Sequence, residues 1–581
     1  MSYLVIFCKL IVFFLSNLGF WEYFRRKSKM NIYFLPAFTI CLQIMILFCA
    51  GLLNCMLIAV WTMYAGGIIL AVYYLSNDYK NIIGIYLNSG YVFFIIVFCV
   101  ILCVCQGQVF TAYDNFSHWA LVIKNMLLTD RYPSFQDSLI IFQEYPLGSA
   151  SYIYYFAKLI SHSESAQMAA QSLMMLSFIL PVFKYINKNK TVSCVMLLLY
   201  INYIFCYNIR IDSLLVDTLL PLQGMTALFF IYSECLNFNG GKYQGGVCVG
   251  FAIPFLCSAV QIKNSGIYFV ILACLLIGIS LKKDTNDRKC KIFTITAPFL
   301  SLYLWKWHCN YVFVDGSLTK HAMTVENYQN VFSQKTGEQI ESILNNVIKY
   351  SFGGKEFFYI LLFLVIVGIM SILIDIQNKK VYMKLVFSSV FLYITYMIGI
   401  AFMYLFSMPI QEAQELAGID RYRKTIFIAV YYLLMLFSLI LVSSIESIKK
   451  GWKYLLGMYL PLIIWTGEWR GKSFPIIFNS VSEGMRIEIE QVIKENQVPS
   501  ELSYIVCVSS EDYVGYVYYL CRYLLWTEDI STRIISDVSQ FSDVENYQYV
   551  LIYDKDNKLI QDWIKNNYPN QEGKVAISID Q

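Results

Sequence analysis

The residues best suited to chemistry sit in one short stretch. Thr111 to Trp119 brings a carboxylate (Asp114), an amide (Asn115), a hydroxyl (Ser117) and an imidazole (His118) directly after the apolar run from Gly90 to Cys105. A carboxylate held half-buried at a membrane surface has its pKa pushed up by desolvation, which suits a general base for an alcohol. Asp114 is the candidate base. The competing reading is a helix cap, because Asp or Asn before an apolar run is a common N-cap. His118 lies one turn further on and shares a face with Asp114 in a helix, so it is expected to orient the carboxylate through a hydrogen bond. The chain has only four His, at 118, 162, 308 and 321. Two ligands make a poor metal site; a divalent metal is possible but unsupported, and no cofactor is expected. Downstream, Lys124 and Tyr145, within Glu144-Tyr145-Pro146-Leu147-Gly148, are candidate substrate contacts in the same polar excursion.

Other charges recur where apolar runs begin. Asp212 and Asp217 precede one, and Glu412 and Glu415 precede another. Lys263 sits at the tip of a short hairpin of apolar segments, in Val260-Gln261-Ile262-Lys263-Asn264-Ser265-Gly266. A lysine at membrane depth is costly and points to function; a phosphate at a helix start would suit it, and snorkelling to the interface is the alternative. Arg210 and the run Asp420-Arg421-Tyr422-Arg423 supply further cations. Arginine suits bidentate phosphate contact, and Arg421 with Tyr422 is preferred over the juxtamembrane Arg423.

The elements that position these groups follow from composition. The 581 residues are 58% hydrophobic and 14% charged, with mean hydropathy +0.54, against roughly 25% charged in soluble domains. This predicts an α-helical polytopic membrane protein. The net charge of +4 is spread along the chain, so no basic tract favours nucleic acid. The 17 Cys are mostly scattered in apolar runs and read as small hydrophobes. Met1–Phe20 lacks a basic n-region, and the cluster Arg25, Arg26, Lys27 and Lys29 comes after it, so it reads as a span and not as a cleaved signal.

Spans of about 20 apolar residues, oriented by basic cytoplasmic loops, number about 14. They run Met1–Phe20, Tyr33–Cys55, Met56–Leu75, Ile82–Cys105, Gln167–Tyr185, Thr191–Tyr207, Ser213–Tyr232, Gly246–Val260, Gly266–Leu281, Ile292–Trp307, Phe357–Ile376, Val381–Met408, Thr425–Ser444 and Trp452–Trp465. This order places Asp114, Asp217, Lys263 and Arg421 outside the cell, in a multi-pass protein of the cell membrane. Residues 1–80 form N-terminal helices. Residues 81–469 form a module with long external loops at 106–165 and 308–355. From about residue 470, strands alternate with helices, which predicts a small extracytoplasmic α/β domain with a mainly parallel sheet over 470–581. It carries no GxGxxG or Walker sequence, so nucleotide binding is not expected.

The loop Tyr113-Asp114-Asn115-Phe116-Ser117-His118-Trp119, the Tyr145-Pro146-Leu147-Gly148 run, the acid Asp217 and the C-terminal soluble domain together resemble the GT-C superfamily of integral-membrane glycosyltransferases. The resemblance implies transfer of a sugar from a polyprenyl-phosphate-linked donor to an extracytoplasmic glycan or glycolipid acceptor, with inversion and with an external aspartate as base. It spans residues 80 to 430 in layout and is specific over the Asp114 loop. Many relatives carry a second acid where Asn115 stands here, and fewer spans before the loop. A polysaccharide polymerase or ligase of the O-antigen type, which would lean on external arginines, and a flippase for lipid-linked sugars, which would show inverted repeats, are the alternatives.

Overall fold

The computed structural model describes residues 3–207, 211–236, 238–239, 242–243, 247–281, 288–313, 325–374, 379–445, 450–454, 456–457 and 480–579. Arg210, His321 and most of the expected Trp452–Trp465 span lie outside them.

The chain is a helical membrane protein with a small C-terminal sheet. Among the described residues, seven stretches are helical, long and apolar enough to cross a membrane: Leu4–Ser28, Ile32–Leu52, Met56–Tyr86, Glu164–Tyr185, Glu356–Leu373, Val381–Phe406 and Ile419–Ser444. Each coincides with an expected span. Four further expected spans are apolar helices of only 10–17 residues, namely Ser89–Cys105, Lys190–Phe205, Val249–Ile262 and Asn264–Ile279. The segment read as Ser213–Tyr232 is helical only from Leu219, and Asp212 and Asp217 lie buried in the turn before it. The Ile292–Trp307 segment lies in a helix, Arg288–Val312, whose Lys291 and Lys306 dilute its apolar character.

In chain order the elements used below are α1 (Tyr3–Ser28), α2 (Leu35–Leu52), α3 (Met56–Tyr86), α4 (Ser89–Cys105), α5 (Ala120–Thr129), α6 (Gly148–Leu159) and α7 (Glu164–Ile179). They continue with α8 (Lys190–Tyr207), α9 (Leu219–Phe230), α10 (Ile253–Ile262), α11 (Ile267–Leu281) and α12 (Arg288–Val312). The membrane part closes with α13 (Val325–Ser333), α14 (Gly337–Phe352), α15 (Lys355–Ile374), α16 (Lys379–Phe406), α17 (Ile410–Gln414) and α18 (Ile419–Ser444).

Close approach of α1 and α3 rests on Gly19 and Gly67: a methyl at Gly19 would stand 2.0 Å from the Gly67 carbonyl oxygen. Membrane helices use such small-residue contacts because lipid gives them no hydrophobic drive to associate. The 106–165 excursion departs from the expected polar loop. Its α6 is buried along almost its whole length against α2 and α7, so the excursion is folded into the helical body. At the end of the molecule away from Asp114, Glu234 joins Lys184 at 2.5 Å and accepts the Asn31 backbone N–H, tying three helix ends together.

The C-terminal part contains α19 (Ser480–Glu495), α20 (Glu511–Leu525) and α21 (Lys558–Asn567). Its four strands are Tyr504–Cys507, Ile530–Arg533, Tyr549–Ile552 and Ala576–Ser578. The first strand is central, parallel to the second and third, and the fourth closes the edge antiparallel. The run Tyr504–Cys507 is apolar and fully buried, as befits a strand flanked on both sides by parallel neighbours. A separate core forms on one face, where Phe541 and Trp563 stack at 4.0 Å.

Candidate functional site

Asp114 follows α4 across a short extended stretch and leads a π-helical turn, Asn115–Trp119. Its carboxylate makes no capping hydrogen bond to that turn, so the cap reading fails. It faces Arg421 instead, with Nη1 at 3.8 Å from Oδ2. π-turns are rare and recur at functional sites because they re-aim side chains.

Asn115, one position on, works differently. Its amide donates to the Asp212 carbonyl at 2.6 Å, and its carbonyl oxygen accepts the Leu214 backbone N–H at 2.8 Å. Thr111 hydrogen-bonds the Asp212 carboxylate. These contacts fix the turn before α9, and that turn delivers Asp217. The Asp217 side chain is 1% exposed; Oδ1 accepts Lys263 Nζ at 2.6 Å, and Oδ2 stands 3.8 Å from Arg421 Nε. Lys263 comes from the break between α10 and α11, Arg421 from the first turn of α18. Four stretches of chain therefore build one line of alternating charge: Asp114, Arg421, Asp217, Lys263.

The line is tight at one end and loose at the other. At 3.8 Å from both carboxylates, Arg421 is ion-paired without being hydrogen-bonded to either, and its Nε has no hydrogen-bond partner among the described residues. The Tyr422 ring lies beside both cations, 5.5 Å from Lys263 Nζ and 5.4 Å from the Arg421 guanidinium carbon, a cation–π arrangement. Gly418, at φ +76°, makes the left-handed turn into α18 that brings Arg421 and Tyr422 here.

Asp114 itself is 41% exposed. Burial on its other sides nevertheless raises its pKa above the ordinary carboxylate value; Arg421 and Lys263 oppose that rise and Asp217 adds to it. Tyr145 stacks on Phe142 with centroids 5.1 Å apart. Burial pushes its phenol up to about 12, with Tyr422, Arg421, Asp217 and Asp114 as its electrostatic neighbours.

Two expected site residues stand elsewhere. His118 is buried in a box of Trp119, Phe142 and Tyr145. Neither ring nitrogen has a hydrogen-bond partner among the described residues, so the expected bond to Asp114 is not made. The π-turn carries the imidazole away from the carboxylate into an apolar niche, and burial pulls its pKa down to about 3, leaving it neutral. Lys124 faces away from the charged line. Its Nζ donates to the Tyr523 carbonyl at 2.5 Å and lies 4.9 Å from the Tyr523 and Trp526 rings; burial lowers its pKa to about 8.

Lys124 belongs to a seam that sequence reasoning missed. Glu164, at the start of α7, accepts the Phe110 backbone N–H at 2.5 Å, Arg486 Nη2 at 3.0 Å and the Tyr523 hydroxyl at 2.9 Å. Arg486 lies against the Phe116 and Tyr523 rings. Arg522 donates to the Leu139 carbonyl and the Tyr516 hydroxyl to the Thr111 carbonyl. The C-terminal domain is thus latched to both flanks of the segment that carries Asp114. Arg423, by contrast, binds the Tyr350 and Gly353 carbonyls and Glu356, and so anchors α14 to α18.

Among the described residues, no three His, Cys, Asp or Glu side chains converge as metal ligands. No family model, curated protein or solved structure matches this chain.

Proposed function

We propose that this protein is an extracytoplasmic, GT-C-like membrane glycosyltransferase. It moves a sugar with inversion from a polyprenyl-phosphate-linked donor to a glycan or glycolipid acceptor. The observation that carries the reading is a half-buried carboxylate of raised pKa beside a loosely paired arginine, at the end of an apolar helix. Acid and cation of this kind match the two demands of the reaction. The acceptor hydroxyl loses its proton to Asp114 as its oxygen bonds the anomeric carbon. The bond from that carbon to the phosphate oxygen breaks, and the phosphate leaves with the electron pair toward Arg421.

Asp217 and Lys263 play supporting parts. Asp217 holds Arg421 at a distance that lets a phosphate oxygen replace a carboxylate contact, and Lys263 compensates the buried Asp217 charge. In this reading the remaining expected spans complete a bundle of about 14, with the C-terminal domain on the Asp114 side.

The test is transfer by purified protein from defined polyprenyl-phosphate sugars to candidate acceptors. Asp114→Asn keeps the shape and removes the proton acceptor, so turnover should fall by about 10²–10⁴-fold. Retention of more than about a tenth of wild-type turnover would remove Asp114 from the base role. Such retention, combined with loss of activity in Arg421→Ala, would favour the O-antigen polymerase or ligase class.

A further inference from the structure

The line of charge contains the base and a cation, yet nothing in it offers a face to a neutral, hydroxyl-rich acceptor. Such a face lies beside it. Tyr113, adjacent to Asp114, is 44% exposed and meets Tyr519 of α20 edge to face at 5.0 Å. Tyr519 in turn contacts Tyr518 at 5.0 Å. Arg522 lies 5.6 Å from both of those rings while donating to the Leu139 carbonyl, so it holds the two tyrosines in place from behind.

Gly515 stands one helical turn before Tyr519, on the same side of α20. A glycine inside a helix costs roughly 0.5–1 kcal/mol relative to alanine, and close packing is the usual reason to keep one. Here a methyl added at Gly515 would meet nothing within 4 Å. Packing therefore does not explain it, whereas a surface kept clear above the tyrosines does. Tyrosine offers an apolar ring face together with a polar tip, the combination a pyranose needs for its C–H face and its hydroxyls. The patch carries no cation placed for a phosphate, because Arg522 is buried behind the rings.

We propose that Tyr113, Tyr519 and the open surface over Gly515 form the saccharide-binding subsite for the acceptor, shared between the Asp114 segment and the C-terminal domain. This rests on the glycosyltransferase reading and adds what the C-terminal domain contributes to it. It also accounts for the seam: the buried contacts of Glu164, Arg486 and Arg522 hold the two halves of the subsite in register.

The experiment reads binding without turnover. Full-length protein in detergent is applied to an array of defined oligosaccharides as wild type, Tyr519→Ala and Gly515→Leu. The expected result is binding of one or more saccharides by wild type, with about tenfold weaker binding by Tyr519→Ala, as for the loss of one aromatic contact. Gly515→Leu should weaken binding similarly while its thermal midpoint is unchanged or higher, because the substitution favours the helix. That variant separates a lost subsite from a lost fold. Absence of saccharide binding by wild type, or equal binding by wild type and both α20 variants, would overturn the subsite. A transfer-competent Asp114→Asn would overturn the catalytic reading and leave this binding result standing.

Discussion

Replacing Lys263 by methionine tests the charged line directly. The Asp217 carboxylate is 1% exposed, with Lys263 at 2.6 Å and Arg421 at 3.8 Å. With an effective dielectric of ~20, those separations correspond to gross attractions of about 6 and 4 kcal/mol. Desolvation of the ions offsets much of this, and removing one partner of a buried pair costs about 3–5 kcal/mol in net terms. Lys263 retains a quarter of its side-chain exposure and Arg421 remains as a second cation, so the lower end applies, about 3 kcal/mol.

Asp217→Asn removes the buried charge itself. The double variant Lys263→Met with Asp217→Asn should therefore recover most of the loss, a coupling of about 2–3 kcal/mol. Thermal unfolding of wild type, both single variants and the double variant in one detergent reads this out. The order expected is Lys263→Met lowest and the double variant above it. A Lys263→Met protein as stable as wild type, or a double variant no better than Lys263→Met, would refute the claim that Lys263 is held chiefly by Asp217. The same geometry makes Arg421 the sharper probe of donor affinity, because Lys263 variants would disturb the fold as well.

Two further outcomes follow from the same structure. Burial raises the Asp114 pKa, so the folded chain binds that proton more readily than the unfolded chain. The group accordingly favours the folded state below its unfolded pKa, and that contribution is lost as pH rises through the folded value. At neutral pH, Asp114→Asn should therefore not lower the thermal midpoint. The acid limb of kcat/KM should also lie above the ordinary Asp value of about 3.9, and a limb at or below it would contradict the half-buried base. For topology, a cysteine placed at the exposed Asn566, with the exposed native Cys8, Cys49, Cys99, Cys103 and Cys248 replaced, should react with an impermeant thiol reagent in intact cells. Labelling that appears only after lysis would put the C-terminal domain on the other side.

Long apolar runs and strand–helix alternation were legible in the sequence because each is a local pattern. All seven long apolar helices among the described residues fall on expected spans, and the run Tyr504–Cys507 marks a buried strand by its unbroken apolar character. Asp114, Asp217, Lys263, Arg421 and Tyr422 could be nominated one at a time, because a charge beside an apolar run is conspicuous. That Asp217 joins Lys263 to Arg421 and so extends the line to Asp114 could not be read, since the contacts come from four separate stretches and no periodicity encodes them. His118 and Lys124 misled for a related reason: type and proximity to Asp114 suggested the site, while the side-chain direction was set by a π-turn and by a domain docked from the far end of the chain. Glu164 and Arg486 gave no signal, for an acid at a helix start and a cation four residues before an acid each have ordinary local explanations.

The largest departure, the short helices, carries its own argument. α9 with the π-turn Ile231–Cys235 that continues it, and α10 with the 3-10 turn Val249–Ala252 that precedes it, run for only 17 and 14 residues, and each abuts a charged member of the site: Asp217 before α9, Lys263 after α10. Hydropathy windows read through such breaks because the flanking residues are apolar. Backbone that leaves the helix within an apolar body is tolerated only where protein or a polar cavity satisfies it. Here Asn115 satisfies the turn before α9, donating to one carbonyl and accepting one N–H. α9 begins late and α10 ends early, which brings Asp217 against Lys263 and Arg421. Departures from local rules concentrate where a protein does its work, and in this chain they concentrate on the line from Lys263 to Asp114.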